Sequence, residues 1–264
     1  MTASSLPEVL MPAAQSRFRY RARALLGLFA APDVSLDALR SGLIEWQRGR
    51  SAEEQLPREL LRVGVRMAGT ERALQESVGS YFGETITPLD GFVTVDVDVD
   101  QPGLVELDAL VARLEDVGDQ LAGVVDRERS FATAGLVNLV LADDGPFAMI
   151  LMCTHHPDVE LVDAHAWWCS FGEVIHAAGS SHTIGYHQVQ CEPQLSIRAA
   201  RAAGLSTTSF DLGDLVYLRA IDEFVAAARP QAGPAVDPGP PVNRRDDFIT
   251  FRGSVGSFCS MLGG

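Results

Sequence analysis

All six histidines of the chain lie between His155 and His187. Histidine is the side chain whose unperturbed pKa lies nearest neutrality, so it takes and returns a proton at small cost. A tyrosine hydroxyl beside it can donate to a developing enolate or phenolate oxygen, as an oxyanion site requires. On these grounds His176, His182, Tyr186 and His187 are read as the proton-transfer and oxyanion set, with Trp167, Trp168, His155 and His165 as substrate contacts. A lumen holding such groups amid apolar walls suits enolisation followed by aldol closure, water loss or decarboxylation.

Metal chemistry is the rival reading. His165 and Cys169 stand four residues apart, and His155 with His187 could meet across neighbouring strands. No HExxH, paired CxxC or facial-triad spacing supports either pairing. The Asp96, Asp98, Asp100 triplet lacks the Gly and Glu of a calcium loop, because Gln101 and Leu107 occupy those positions. No metal site is therefore assigned. Ser180-Ser181-His182 is not part of a GxSxG elbow, which argues against a serine nucleophile. Cys153, Cys169, Cys191 and Cys259 show no paired spacing and read as buried small hydrophobes.

The elements that must position these groups follow from periodicity. In the first half, Arg21–Phe29 reads as a strand, and Leu36, Leu39, Leu43 and Trp46 mark an amphipathic helix. Leu60–Met67 reads as a strand and Glu71–Tyr81 as a short helix. Along Phe92–Asp100 valine alternates with threonine or aspartate, which predicts a strand with one wet face. Leu104–Val125 then reads as one helix and Phe131–Ala142 as a strand. The second half repeats the order, with strands at Phe147–Thr154, Thr183–Cys191, Phe210–Leu218 and Asp247–Arg252, and helices at Leu161–Ala178, Gln194–Ala203 and Ala220–Ala228. Pro230–Pro241 reads as a loop or lid.

On the Leu161–Ala178 helix, His165, Trp168, Cys169, Gly172, Glu173 and His176 fall on one side. On the Thr183–Cys191 strand, His182, Ile184, Tyr186, Gln188 and Gln190 share one face, and Thr183, Gly185, His187, Val189 and Cys191 the other. Only a subset of the histidines can therefore meet in one cavity.

A net charge of −14 argues against a phosphate-binding surface and hence against nucleic acid. Met1–Ser16 has no basic segment followed by an apolar one, and the chain has no run of about 18 apolar residues. The expectation is a cytoplasmic protein that does not act at a membrane.

The two halves echo one another: Ala31-Pro32-Asp33-Val34 answers His156-Pro157-Asp158-Val159, and Leu89-Asp90-Gly91 answers Leu212-Gly213-Asp214. The expected class is α+β, two ferredoxin-like βαββαβ repeats forming an intramolecular barrel. The boundaries are an extension over 1–18, a first repeat over 19–143 and a second over 144–264. The second half resembles the EthD-type branch of the dimeric α+β barrel family. The resemblance is carried by the opening strand Phe147–Cys153, the Pro-Asp-Val turn, the helix with Trp167, Trp168 and His176, the strand around Tyr186-His187, the small helix from Leu195 and the strand Phe210–Tyr217. It implies a cofactor-independent lyase or cyclase on an apolar, oxygenated, polyketide-like small molecule. The alternatives are a haem- or divalent-metal-dependent enzyme of the same barrel, and a non-catalytic binding protein. Two such barrels could pair as a homodimer.

Overall fold

The computed structural model describes residues 20–53, 61–69, 87–99, 104–115, 117–178, 182–208, 210–222 and 251–262. Strands β1 (Tyr20–Leu28), β2 (Leu61–Ala68), β3 (Gly91–Val99) and β4 (Phe131–Ala142) come from the first half. Strands β5 (Phe147–His155), β6 (Thr183–Cys191), β7 (Leu212–Leu218) and β8 (Phe251–Met261) come from the second. All pair antiparallel in the closed order β1-β3-β2-β8-β5-β7-β6-β4, with β4 returning to β1. Closure gives every strand a neighbour on both sides, although the β2–β8 ladder spans only Arg66–Ala68 opposite Cys259–Met261. The relative order of the last four strands, β8-β5-β7-β6, repeats that of the first four, β4-β1-β3-β2. Seams between the two groups lie at β2–β8 and β4–β6. The fold is thus α+β, a closed antiparallel barrel with helices on its outside.

The described helices are α1 (Leu36–Glu53), α2 (Leu104–Ala112), α3 (Val117–Gln120), α4 (Leu161–Ala178) and α5 (Pro193–Ala203). Because side chains alternate along a strand, each strand feeds two cores. Outside the first group, Leu26, Leu28, Val93 and Val95 pack against Leu39, Leu43, Leu107, Leu110 and Ala199. Outside the second, Met149, Leu151, Leu212 and Leu218 pack against Ala164 and Trp168 of α4. Inside, Leu25, Phe92, Ile150, Met152, Leu215 and Tyr217 fill a separate cluster, the lumen.

Local signals end the helices where the sequence places them. Glu192 caps α5 by accepting from the N–H groups of Gln194 and Leu195, and Pro193 opens the first turn. Gly204 closes it in the left-handed conformation at φ 63°.

Three expectations change. The predicted single helix over 104–125 is broken after Ala112, where Leu114 N–H turns to Val111 and Val117 N–H to Leu114. Tighter turns bring Gly118 against the end of α5, where a Cβ would lie 2.6 Å from the Ala203 carbonyl oxygen. The last strand, expected at Asp247–Arg252, of which 247–250 lie outside the described residues, continues to Met261, because ladders to β5 and β2 hold a glycine- and serine-rich segment that has little strand propensity of its own. The polar face of β3 is not wet: Thr94 and Asp96 point into the lumen and are buried. The helix expected at 71–81, the lid at 230–241 and most of the helix at 220–228 lie outside the described residues.

Candidate functional site

Strand alternation places Arg21 and Arg23 of β1, Arg66 of β2, Asp96 of β3, His187 of β6 and Tyr217 of β7 on the lumen side, and all six are buried. Arg23 and Asp96 stand opposite one another in the β1–β3 ladder. The Arg23 guanidinium donates through Nε and Nη2 to the two oxygens of Asp96, both at 2.6 Å. Such a bidentate fork is the strongest ordinary pairing for two buried charges. Arg21 approaches the same carboxylate at 3.5 Å. Burial alone pulls the Arg23 pKa down, yet Asp96 and then Tyr217 outweigh it and the guanidinium stays charged.

The remaining nitrogen of Arg23, Nη1, faces the second half of the chain. It donates to His187 Nδ1 at 3.0 Å and to the Tyr217 hydroxyl at 3.3 Å. A guanidinium has only donors, so His187 is the tautomer with its proton on Nε2, which points at the Ala142 carbonyl at 3.4 Å. Burial first, then the positive field of Arg23 and Arg21, pushes the His187 pKa down to about 2. His187 is therefore a neutral acceptor that orients Arg23, although the Asp144 carboxylate lies 3.7 Å from Nδ1. The rings of His187 and Tyr217 meet edge to face at 4.6 Å. Burial raises the Tyr217 pKa and the two arginines Arg23 and Arg66 oppose it. Tyr217 keeps its proton near neutral pH and accepts from Arg23, so the hydroxyl hydrogen is available to a third group.

The other sequence-predicted residues sit elsewhere. Tyr186 is next to His187 but points to the outer face, toward α4, with Gln188 and Gln190. There the Trp168 indole donates to Asp214 at 3.1 Å, and Gln188 donates to the Trp168 carbonyl at 2.7 Å and to the Tyr186 hydroxyl at 3.2 Å. Asn138 donates to Gln188 at 2.8 Å. Gln190 donates to Cys169 at 2.7 Å, and burial pushes that thiol up to about 11, which disqualifies it as a nucleophile. Burial raises Asp214 to about 7, with Tyr186 and Trp168 holding it back. Burial and then Asp214 raise Tyr186 well above the ordinary phenol range. Helix α4 settles closely on this layer because position 172 is glycine: a Cβ there would meet Gln188 Oε1 at 2.6 Å. The expected helix stripe is present in His165, Trp168, Cys169 and Gly172, which are buried, while Glu173 and His176 are exposed.

His155 pairs with Asp211 through Nδ1 at 2.6 Å, and His165 Nε2 meets the Asp211 carbonyl at 3.1 Å. His176 Nδ1 meets the Val140 carbonyl at 3.1 Å. His182 lies half-buried just before β6, and Trp167 stacks on Phe171 with ring centres 5.8 Å apart. The lumen thus receives one of the eight predicted residues, His187.

Arg21, Arg23, Arg66, Asp96 and Tyr217 were not anticipated. The signal for them is charge alternation: Arg21-Ala22-Arg23 on one strand faces Asp96-Val97-Asp98 on its antiparallel neighbour. His187 is not placed to ligate a haem iron or a divalent metal in this lumen. Both ring nitrogens of His187 are engaged, one by a cation. Among the described residues no group of three or more His, Cys, Asp or Glu side chains converges.

The sequence matches no protein-family model and no curated protein. In three dimensions it is similar to an anthrone oxidase-like protein, with a TM-score of 0.50, 9% identity and coverage of 93% of this chain and 92% of that one. A mutant chlorite dismutase from Candidatus Nitrospira defluvii in complex with cyanide aligns with a TM-score of 0.49 at 8% identity, over 92% of this chain and 91% of that one. The likeness to the anthrone oxidase-like protein, at this identity, shows a shared fold alone and leaves the chemistry to the site.

Proposed function

We propose that the lumen is the active site of a lyase or cyclase that acts on a mostly apolar, oxygenated small molecule by acid–base chemistry without a bound cofactor. The observation that carries this reading is the Arg23, His187 and Tyr217 cluster, set in an apolar lumen with a hydroxyl hydrogen to spare. Such fixed donors act on charge that develops in the transition state. The Asp144 carboxylate, 40% exposed at the rim, takes a proton from a carbon next to a carbonyl. The C–H electron pair becomes the enolate, whose oxygen is held by the Tyr217 hydroxyl and the Arg23 field. The enolate carbon then closes on a second carbonyl, or expels a β-hydroxyl as water once that oxygen is protonated. His187 is a positioning residue for Arg23, and the hydroxyl role expected of Tyr186 belongs to Tyr217. In this reading the two strand groups are tandem ferredoxin-like units of EthD-like type, and the enzyme serves specialised metabolism in the cytoplasm.

Ionisation of 4-nitrophenol bound to the full chain, followed by absorbance, tests the proposal. The bound phenol is expected to ionise at lower pH than the free phenol, and Tyr217→Phe to reduce that shift. Absence of binding, or an unshifted titration in the wild-type chain, overturns the reading.

A further inference from the structure

We propose that Arg66 anchors a carboxylate of the substrate, so that the lumen selects small organic acids over their neutral analogues; this rests on the lumen being the active site. Arg66 is 2% exposed, and its Nε is sealed from solvent without a hydrogen-bond partner. A buried charged donor left unpaired costs more than the 1–3 kcal/mol or so of a neutral one, so its retention needs a reason. The guanidinium lies over the Tyr217 ring, 5.0 Å from its centre, on the residue whose hydroxyl is assigned to the oxyanion. Gly64 makes the room: a Cβ there would stand 2.9 Å from Arg66 Nη1 and 2.6 Å from Thr94 Oγ1.

Charge points the same way. Among the described side chains, the buried guanidiniums of Arg21, Arg23 and Arg66 face the buried carboxylate of Asp96. That carboxylate is already taken by Arg23 and approached by Arg21. His187 adds no charge, because it is held neutral. A carboxylate matches the planar fork of an arginine.

Calorimetric binding of phenylacetate and of phenylacetamide to the full chain separates acid from neutral isostere. The acid is expected to bind about tenfold or more tightly than the amide, the ratio set by a charge-assisted pair. Arg66→Met is expected to abolish the preference. Gly64→Ala, which crowds the guanidinium and keeps the charge, is expected to weaken the acid and spare the amide. Circular dichroism checks that the variants fold, and Arg66→Lys, with a charge but no fork, replaces Arg66→Met if that variant does not. Equal affinities for acid and amide in the wild-type chain, or a preference that survives in the folded Arg66 variant, overturn the proposal. If bound 4-nitrophenol shifts its ionisation while acid and amide bind alike, the anchor alone fails. If neither test gives binding, the lumen reading fails with it.

Discussion

Tyr186 and His187 are neighbours in sequence and stand on opposite faces of one strand, and the two polar layers they enter differ in kind. Beneath α4, neutral amides, an indole and a phenol close around Asp214, and nearly every donor finds an acceptor. His165 donates through Nε2 to the Asp211 carbonyl, which leaves Nδ1 as an acceptor without a donor, and burial lowers its pKa toward the neutral ring. Inside the barrel, among the described residues, full charges are gathered, Arg66 Nε has no hydrogen-bond partner and the Tyr217 hydroxyl accepts from Arg23. A saturated polar layer fixes a helix on a sheet, whereas an unsaturated one is held ready for something else.

The sharpest way to break the contrast is to unbalance the lumen. Asp96→Ala leaves Arg23 buried without its fork, and removal of one partner of a buried pair costs about 3–5 kcal/mol. The loss should appear in urea unfolding as a lower midpoint at constant slope. A cost below about 1 kcal/mol, the scale of exposed pairs, would show that water reaches the cluster and that the lumen is not a low-dielectric site.

The outer layer has a pH signature of its own. Asp214 has a folded pKa raised by burial to about 7 from an ordinary 3.8. Between those values the native state holds a proton that the unfolded state has lost, so stability falls as pH rises through the window. The slope from this one group is at most about 1.4 kcal/mol per pH unit. Asp214→Asn should remove it, so the stability difference between variant and wild type should move in the variant's favour from about pH 4 to about 7. Parallel stability curves for the two proteins would mean that Asp214 stays ionised.

Substitution of the two tyrosines sharpens the comparison at a smaller scale. Tyr217→Phe removes one of two acceptors of Arg23 Nη1 and should cost about 1 kcal/mol, because His187 remains. Tyr186→Phe takes a donor from the buried Asp214 and should cost about 1–3 kcal/mol. Only the first should reduce the ionisation shift of bound 4-nitrophenol. The reverse pattern would place the oxyanion site beneath α4.

Much of the scaffold was legible because strand alternation and helical stripes are local. Leu161–Ala178 and Thr183–Cys191 lie where periodicity puts them, and so does the division of β6 into a Tyr186 face and a His187 face. What periodicity does not state is which face of a closed sheet is inside. Asp96 of β3 therefore reads as wet, when closure turns it inward against Arg23 and Arg21 of β1. The histidine cluster misled for a related reason. Residue type advertises chemistry, yet His187 loses its basicity first to burial and then to the field of three arginines that come from distant strands. The polar cluster of the lumen is assembled by register across β1, β3, β6 and β7, and no segment of the chain contains it.

The smallest effect belongs to His176, at the opposite pole from His187. His176 is exposed in the last turn of α4, and its ring nitrogen meets the Val140 carbonyl at 3.1 Å. Loss of that bond to solvent-accessible groups costs a few tenths of a kcal/mol, and alanine returns a similar amount in helix propensity. His176→Ala should therefore change stability by no more than about 0.5 kcal/mol in thermal unfolding. Substitution of His187 by alanine, by contrast, takes an acceptor from a fully buried guanidinium and should cost about 1–3 kcal/mol. Equal losses from the two would mean that exposure on α4 and burial in the lumen do not distinguish these histidines, and the division of the second half into a saturated outer layer and an open inner one would fall.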